Sequence, residues 1–489
     1  MKKTIITAIC VILVLLLPIG GVIGIAVALP EQYGNVFTSR LSEKYDRLNS
    51  IDEPKVIVVG GSSVAFGLNS ELLEEYMGMP VVNFGLYAAL GTKVMMDLSR
   101  SNIGEGDIIV LAPELDAQTL SLYFNAENTL MALDGSFYML KDIAVSNYVQ
   151  LLGGVWKFAG EKLSYYLSGN KPDPEGVYNS KNFNEYGDIV YDRPENTMPR
   201  GYDRNMLIDL SESIVSQDFI DYVNDYIRYC EKKGATVYFS YCPINDAALA
   251  GGAGVKADGT MNKDALSQQI ADFQSYLKDN INCKFISEIS DYIMEAGYFY
   301  DTNFHMNDAG VTAHTVTLIK DLLLETGSTA SVTTEVPEAP ALPEQDVIFE
   351  GEDENAKYFT FERLESGSYA ITGLTAEGLE MKTLTVPLGY DGYKVTDIKA
   401  GAFASSKLET LILTEDTNIV FFEGDTFTGA SRLKDMYIYQ PDGDRILPPT
   451  SVAGTAPGFV IHVPLGSNYA DGYFWSQIGA TFRLDAESR

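Results

Sequence analysis

Two residues of this chain, a serine near its beginning and a histidine past its middle, are of the types that a covalent hydrolytic reaction needs. Ser63 lies in the stretch GGSSVAFGLN, directly after the apolar run KVIVV. A serine hydroxyl is a good nucleophile only when a neighbouring base takes its proton. The sequence offers three histidines for that task, which are His305, His314 and His462.

His305 is the histidine whose neighbours suit a general base. It lies in YFYDTNFHMNDAG, where Asp301 precedes it by four residues. A carboxylate beside an imidazole holds its tautomer and stabilises the charged ring that forms when serine is deprotonated. His314 falls within a helical pattern and His462 lies between two apolar residues, so we expect structural roles for both. The pattern predicts catalysis by Ser63, His305 and Asp301.

Three short blocks resemble the SGNH, or GDSL-type, hydrolases. The first family block is G-D-S-x-x-x-G, and GSSVAFG matches it at Gly61, Ser63 and Gly67, with Ser62 in place of the aspartate. NFGLYAALG resembles the second block and DTNFHMNDAG the last. The resemblance covers about residues 55–327 and implies a three-layer, flavodoxin-like α/β domain with a parallel sheet. It also implies ester hydrolysis that requires no cofactor and no metal.

The resemblance gives each matching residue a role. Ser63 attacks the ester carbonyl, and His305 acts as general base and then as general acid. Asp301 orients His305. The family has two residues between this acid and the histidine, whereas three intervene here. Asn303 or a more distant carboxylate is therefore an alternative partner for His305.

The oxyanion hole is the part in which this chain departs most from the family. The backbone N–H groups of Ser63 and Gly85 are the implied donors. Asn83, in the same block as Gly85, and Glu114 are possible substrate contacts. The family asparagine that completes the hole has no clear match. Glu114 of LAPELD stands in its place. A carboxylate there repels an oxyanion unless it is protonated or turned away.

These residues need a scaffold, and short apolar runs that alternate with helical patterns indicate one. The runs are KVIVVG, PVVNFG, DIIVLAPE, ATVYFSYCP and CKFIS, at residues 55–60, 80–85, 107–114, 235–243 and 283–287. Such alternation predicts a parallel sheet covered by helices on both faces. We expect N-caps at Ser70 and Asn307. The polar stretch 170–205 is interpreted as an inserted loop near the substrate face.

The N-terminus predicts a membrane anchor. Two lysines precede an uncharged apolar segment from Ile5 to Leu29, which is longer than the core of a cleavable signal. We therefore expect residues 1–30 to form a single transmembrane helix, with a long cleaved signal peptide as the alternative. Both interpretations export the rest of the chain to the outside of a bacterial cell. Residues 31–54 are predicted to form a spacer helix.

The C-terminal part of the chain differs from the rest in composition and in its repeated sequence pattern. Residues 328–345 form a proline-rich linker, and residues 346–489 contain echoes of one short unit. Phe403 and Phe427 are 24 residues apart, and Leu408 and Leu433 are 25 apart. A period in the low twenties with Leu-x-x-Leu-x-Leu resembles BspA-type leucine-rich repeats of bacterial surface proteins. An ordinary β-rich domain is the alternative.

Composition excludes some functions. The chain has 35 Lys and Arg against 67 Asp and Glu, a formal net charge of −32, so nucleic acid is an unfavourable partner. The cysteines, which are Cys10, Cys230, Cys242 and Cys283, lack the spacing of a zinc–thiolate site or a disulfide framework.

The predicted function is a membrane-tethered extracellular serine esterase that acts on acyl esters of a cell-surface polymer or glycan. An O-acyltransferase would use the same residues. The rival from another class is a non-catalytic surface protein with a degenerate SGNH domain, whose repeats bind a glycan or protein partner.

Overall fold

The computed structural model describes residues 18, 20–250, 263–342, 346–364, 366–469 and 475–486. The chain divides into two compact units. Unit 1 comprises Met1–Glu195 and Ile208–Pro340, and unit 2 comprises Asn196–Leu207 and Ala341–Arg489. Unit 2 thus begins near the end of the predicted linker, but it also includes Asn196–Leu207, of which the first ten residues belong to the stretch that was interpreted as an inserted loop.

Unit 1 is a mixed α/β structure built on a parallel sheet. Its strands are β1 Val56–Gly60, β2 Val81–Gly85, β3 Ile108–Ala112, β4 Ile208–Asp209, β5 Thr236–Phe239, β6 Ile244–Asn245, β7 Leu249–Ala250, β8 Lys284–Phe285 and β9 Ile293–Met294. Within the described residues, five strands form one parallel sheet in the order β2-β1-β3-β5-β8. The strand order reverses at β1, which is where ligands of open parallel sheets bind.

Helices connect these strands. They are α1 Leu41–Ser50, α2 Ser62–Gly67, α3 Ser70–Met77, α4 Thr92–Ser99, α5 Ala126–Ala132, α6 Tyr148–Ser168, α7 Gln217–Lys232, α8 Lys263–Asn280 and α9 Asp308–Glu325. Asn307 caps α9 by accepting the Gly310 N–H, as predicted. The predicted cap at Ser70 is wrong by one residue, because Asn69 accepts the Leu72 N–H instead.

Both faces of the sheet are buried, which explains why its strands are apolar throughout rather than alternating. Val56, Val58 and Val110 lie in one buried cluster with Leu318 and Leu322 of α9. The intervening strand residues, such as Ile57 and Ile109, point to the opposite face and are fully buried as well. The predicted covering of both faces is therefore confirmed for the central strands.

The segment predicted as a spacer is part of unit 1. Phe37, Leu41, Tyr45 and Leu48 are all buried, and the buried Lys44 donates to the Asn83 carbonyl oxygen at 3.1 Å. The helical spacing was identified correctly, and the apolar face of this segment packs within unit 1.

The predicted transmembrane segment lies mostly outside the described residues. Residues 20–28 of it are helical. Among the residues that the structure describes, no helix has the length and apolarity needed to cross a bilayer.

Unit 2 is a stack of short strands. They are β10 Phe359–Arg363, β11 Tyr369–Leu374, β12 Thr383–Thr385, β13 Gly389–Tyr390, β14 Tyr393–Ile398, β15 Thr410–Leu413, β16 Phe421–Phe422, β17 Asp435–Ile438, β18 Val460–His462 and β19 Thr481–Arg483, with one short helix, α10 Ala376–Glu380. Strands β12, β15, β17, β18 and β19 pair in parallel in that order. Residues 383, 410, 435, 460 and 481 are aligned, so successive strands are 27, 25, 25 and 21 residues apart.

The sequence echoes in this unit correspond to stacked positions. The rings of Phe403 and Phe427 lie 6.2 Å apart and nearly parallel, and both side chains are fully buried. Leu408 and Leu433 belong to the same buried cluster. Equivalent residues of successive turns thus fill one continuous core, as they do in repeat proteins.

Ion pairs and hydrogen bonds attach Asn196–Leu207 to the rest of unit 2. Arg200 donates to both carboxylate oxygens of Asp397, at 3.0 and 2.8 Å, and Arg204 donates to one of them at 2.7 Å. Asp397 is buried at the end of β14. The Asn205 side chain donates to the carbonyl oxygens of Phe422 and Pro448. A buried carboxylate requires such partners, and this segment supplies them.

Candidate active site

The first three strands of the parallel sheet end at one edge. Gly60, the last residue of β1, is aligned with Gly85 of β2 and with Ala112 of β3. Ser63 and Glu114 follow two of these strand ends by two or three residues. Sequence blocks that are far apart along the chain therefore meet where open parallel sheets bind ligands.

Ser63 lies in the first turn of α2 and is fully buried. Its backbone N–H donates to Glu114 Oε1 at 2.8 Å. Its hydroxyl oxygen is enclosed and makes no hydrogen bond with any described residue. An unbonded buried hydroxyl is unusual, because desolvating it without a partner costs roughly 1–3 kcal/mol.

His305 is paired with Asp301, as predicted. Its Nδ1 lies 2.8 Å from Asp301 Oδ1. The other oxygen of Asp301 accepts the Tyr178 hydroxyl at 2.6 Å. The pair lies in a nearly closed environment, since His305 is only 2% exposed and Asp301 is also buried. The Nδ1 contact fixes the orientation of the imidazole, and Asp301 is the residue that makes it rather than Asn303.

A tight turn explains why three intervening residues still allow this contact. The Tyr300 N–H donates to the His305 carbonyl oxygen at 2.8 Å, and the His305 N–H donates to Thr302 Oγ1 at 3.1 Å. These bonds fold the chain back so that Asp301 reaches the ring. Asn303, the alternative orienting residue, has its backbone carbonyl oxygen bound by the Asn245 N–H at 3.3 Å.

Phe66 connects the histidine to the helix that carries the serine. Its ring lies 3.8 Å from the His305 ring, centre to centre, and the two planes differ by only 3°. Residues three apart on a helix lie on the same side, with Cβ atoms about 5–6 Å apart, so Phe66 and Ser63 share one face of α2. The Arg193 guanidinium also lies on the Phe66 ring, 5.2 Å from its centre.

The structure brings Ser63 and His305 to one region but does not join them by a hydrogen bond. The Ser63 hydroxyl has no partner among the described residues, so no proton path from serine to histidine is formed. Catalytic hydrogen bonds are often absent or long in ligand-free enzymes and form with bound substrate. The catalytic pairing of Ser63 with His305 therefore stays a prediction, although Phe66 places His305 against the helix that carries Ser63.

Both backbone groups predicted to bind an oxyanion have acceptors within the protein. The Ser63 N–H is bound by Glu114, and the Gly85 N–H donates to Asn83 Oδ1 at 3.1 Å. Gly85 is nevertheless required here, because a Cβ at this position would lie 2.3 Å from the Val64 Cβ. Its small size lets α2 pack against the end of β2.

Asn83, predicted as a possible substrate contact, is fully buried in a polar cluster instead. Its amide nitrogen donates to Val64 O at 3.1 Å and to Asp188 Oδ1 at 2.8 Å. Asp188 also accepts the N–H and the hydroxyl of Ser70. Lys44 is the cation of this cluster, and burial lowers its pKa to about 7, although Asp188 opposes the change. These contacts give Asn83 a structural part in holding α2 against the sheet.

Glu114 has an unusual environment for a carboxyl group. Burial raises its pKa to about 7, and the Ser63 N–H opposes the increase. Its Oε2 is enclosed and without a hydrogen-bond partner in the described part of the chain. Asp116, two residues on, instead accepts the N–H groups of Gln118 and Thr119 and so closes a turn.

Sequence reasoning missed three side chains that shape the site, namely Phe66, Tyr178 and Arg193. Phe66 lies within the quoted serine block, where it matched no position of the family pattern. Tyr178 and Arg193 come from the stretch 170–205, whose position near the substrate face was the available signal.

Other candidate features lie elsewhere. A cavity of about 610 Å³ has a polar lining that includes Glu31, Arg40, Asp173 and Lys181, but neither Ser63 nor the histidine pair contributes to it. Within the described residues, no group of three or more His, Cys, Asp or Glu side chains is arranged to hold a metal ion.

No protein-family model matches the chain, and no curated protein matches it either.

Proposed function

We propose that unit 1 is a serine-dependent acyl ester hydrolase of the SGNH type. The observation that carries the proposal is the Asp301–His305 pair stacked on Phe66, which belongs to the same face of α2 as Ser63. The strand order, which is 2-1-3-4-5 when the strands of the sheet are renumbered along the chain, is that of flavodoxin-like sheets and supports the same proposal.

The reaction follows from the roles of these groups. Ser63 Oγ attacks the ester carbonyl carbon while its proton passes to His305, and Asp301 stabilises the charged ring. The same proton is then given to the leaving alcohol, which departs and leaves an acyl-serine. Water, deprotonated by His305, hydrolyses the acyl-serine and restores the site. Because Ser63 is buried, we expect its side chain to rotate towards His305 when substrate enters.

The full chain provides the test. Purified protein in detergent is assayed with p-nitrophenyl acetate beside the variants Ser63→Ala and Ser62→Ala. We expect the first variant to lose at least about 1,000-fold in kcat/KM and the second to retain the wild-type rate. A fluorophosphonate should label Ser63 alone. Equal rates for the wild type and Ser63→Ala would contradict the proposal.

The proposed setting is the outer surface of a bacterial membrane. An N-terminal anchor at residues 1–30 would hold the enzyme there, and an acylated surface polymer or glycan is the proposed substrate. Unit 2, as a BspA-type leucine-rich repeat, would bind a glycan or protein partner. Its aligned parallel strands at spacings of 21 to 27 residues support this assignment.

Acyl transfer is a variant of the same reaction. The acyl-serine can pass its acyl group to a sugar hydroxyl instead of to water when a bound sugar excludes water from Ser63 and His305. The ratio of transferred to hydrolysed acyl groups, measured with a soluble oligosaccharide in the assay, separates the two outcomes.

A non-catalytic surface protein is the second candidate. The observation that favours it is that the Ser63 and Gly85 N–H groups are both occupied by side chains of the protein. Under this hypothesis the fluorophosphonate labels no serine, while an array of surface glycans still retains the chain.

A further inference from the structure

Two enclosed polar atoms without partners lie in residues that are bonded to each other. Ser63 Oγ and Glu114 Oε2 each lack a hydrogen bond in the described part of the chain, while the Ser63 N–H binds Glu114 Oε1 at 2.8 Å. The Ser63 hydroxyl also lowers the pKa of Glu114, so it lies near the carboxyl group, although outside hydrogen-bond geometry. Hydrogen-bonding capacity is therefore free on Glu114 beside the hydroxyl that, under the proposed function, attacks the carbonyl.

A glycine makes this approach possible. A Cβ added to Gly61 would lie 2.3 Å from Glu114 Oε2 and 2.4 Å from Oε1, which is far inside contact distance. The Glu114 carboxyl group therefore packs directly against the backbone of Gly61, in the turn from β1 into α2. Side-chain bulk at residue 61 would force it away, so the position of Glu114 is built into the turn that presents Ser63.

The groups around Glu114 disfavour its charged form. Burial is the main cause that raises its pKa to about 7, and Asp116 on the same segment adds to the increase. The element that follows β5 contributes Cys242, whose thiol is buried and has a pKa well above its ordinary value. Helix α2 contributes the Ser63 N–H, which opposes the increase. Burial outweighs the opposing hydrogen bond from the Ser63 N–H, so the neutral form of Glu114 is accessible near neutral pH.

We propose that Glu114 is a catalytic residue that acts as a neutral carboxylic acid and donates a hydrogen bond from Oε2 to the oxyanion. This inference rests on the proposed function. The Ser63 N–H then stabilises the oxyanion indirectly, by binding Oε1 and polarising the acid. Loss of the Oε2 proton removes the donor and places a negative charge beside the oxyanion, so activity falls as pH rises.

No proton is consumed by this step. The carbonyl π electrons move to the oxygen as Ser63 Oγ bonds to carbon, and the oxygen accepts the hydrogen bond from Glu114 without taking its proton. When the tetrahedral intermediate collapses, the carbonyl re-forms, the leaving alcohol takes its proton from His305, and Glu114 is unchanged. A buried carboxylic acid that stays neutral and donates to an oxyanion is established chemistry in other enzymes.

The test compares pH profiles of kcat/KM for p-nitrophenyl acetate, from pH 5 to 9.5, using the full chain. In the wild type we expect a decrease above about pH 7. Glu114→Gln keeps an acceptor for the Ser63 N–H and a permanent N–H donor for the oxyanion, so its profile should stay level to high pH. Its rate should exceed the wild-type rate about 100-fold at pH 9, two units above the wild-type midpoint.

Two further variants separate structure from catalysis. Glu114→Ala removes the donor at every pH, and we expect a loss of about 100- to 1,000-fold even at pH 6. Ser62→Ala should keep the wild-type profile. Thermal unfolding of each variant at pH 6 identifies any that fail to fold, and Glu114→Gln, which keeps the shape and the Ser63 bond, preserves the test if Glu114→Ala does not fold.

The outcomes are distinct. A Glu114→Gln profile that still falls above pH 7, or a Glu114→Ala variant as active as wild type, overturns the role of Glu114 while Ser63-dependent turnover upholds the esterase. Absence of any Ser63-dependent turnover in the wild type at all pH values overturns the proposed function and this inference together.

Discussion

Unit 1 and unit 2 each contain a buried histidine paired with aspartate, and the two sites differ in instructive ways. His305 Nδ1 contacts Asp301, four residues upstream in one turn. His462 contacts two carboxylates on different segments, Asp485 from Nδ1 at 2.6 Å and Asp435 from Nε2 at 3.1 Å. With both ring nitrogens bound by carboxylates, His462 has no nitrogen left to act on a substrate.

Aromatic stacking is common to both sites. The His305 ring lies on Phe66, and the His462 ring lies 4.3 Å from the ring of Tyr437, its aligned neighbour on β17. In unit 2 the stack follows the repeat, since each turn places its side chain above the previous one. In unit 1 the stack joins a loop to the helix that carries Ser63. Burial, a carboxylate and a stacked ring are therefore insufficient to identify a catalytic histidine. The feature that distinguishes His305 is that its stacked partner, Phe66, belongs to the helix that carries Ser63.

Replacing each histidine should separate the two sites most strongly. We expect His305→Ala to lower kcat/KM for p-nitrophenyl acetate by about 1,000- to 10,000-fold, because it removes the proposed base. His462→Ala should leave this rate unchanged and lower the stability of unit 2, measured through the fluorescence of the buried Trp475 during urea unfolding. Loss of activity in His462→Ala with an unchanged unfolding curve would contradict a purely structural role for His462.

The aspartates offer the next test. Asp301→Asn should lower kcat by roughly 100- to 10,000-fold with little change in KM, since the amide disturbs the tautomer of His305 but touches no substrate. Asp485→Asn, the matched change at the other histidine, should leave kcat unaltered. If both variants retained full activity, another carboxylate would have to orient His305.

The pH dependence of stability also distinguishes the units. The folded-state pKa of Glu114 is raised from 4.5 to about 7, so its contribution to folding is fully present below pH 4.5 and is lost as pH rises through 7. Glu114→Gln should therefore stabilise unit 1 at pH 8 by up to about 3 kcal/mol and have no effect at pH 4. Hydrogen exchange of the amides of residues 56–60 measures this, with β17 amides as the unchanged reference. A gain of equal size at pH 4 would show that ionisation is not its cause.

The smallest expected effect belongs to Tyr178. Its hydroxyl donates to the Asp301 carboxylate and touches no reacting atom. Tyr178→Phe should therefore lower kcat about 3- to 10-fold, less than the roughly 1.5–3 kcal/mol of a hydrogen bond to a charged group, because it affects the reaction only through Asp301. Tyr148→Phe serves as the control, because it removes a bond from the first residue of α6 to the Leu140 carbonyl oxygen. Equal effects of the two changes would indicate a general loss of stability rather than positioning of Asp301.

The sequence predicts the sheet of unit 1 and much of its candidate site. The strands are recognisable because both of their faces are buried, which makes each run apolar, and the functional segments follow directly after these runs. Ser63, Gly85 and Glu114 could thus be placed at one edge without knowing any distance. Asn307 was recognisable as a cap because its role depends only on residues next to it.

Contacts between distant segments could not be predicted in this way. The spacing from Asp301 to His305 departs from the family pattern, and only the turn that folds the loop back shows how they meet. Tyr178 and Arg193 lie in a polar stretch without periodicity, so their partners depend on tertiary structure. The helical pattern around Lys44 was visible, but the packing of this helix onto the α/β unit was not.

The assignment of Asn196–Leu207 to unit 2 has a consequence for biosynthesis. Arg200 and Arg204 leave the ribosome almost two hundred residues before Asp397, their buried partner. During translation the two arginines therefore lack this partner while the remainder of unit 1 is synthesised. The ion pairs of unit 2 form only after β14 has been synthesised. Genetic exchange of residues 341–489 as a cassette would therefore separate a carboxylate from its arginines. Unit 2 is built from two separate segments of the chain, so residues 341–489 alone are not an interchangeable module.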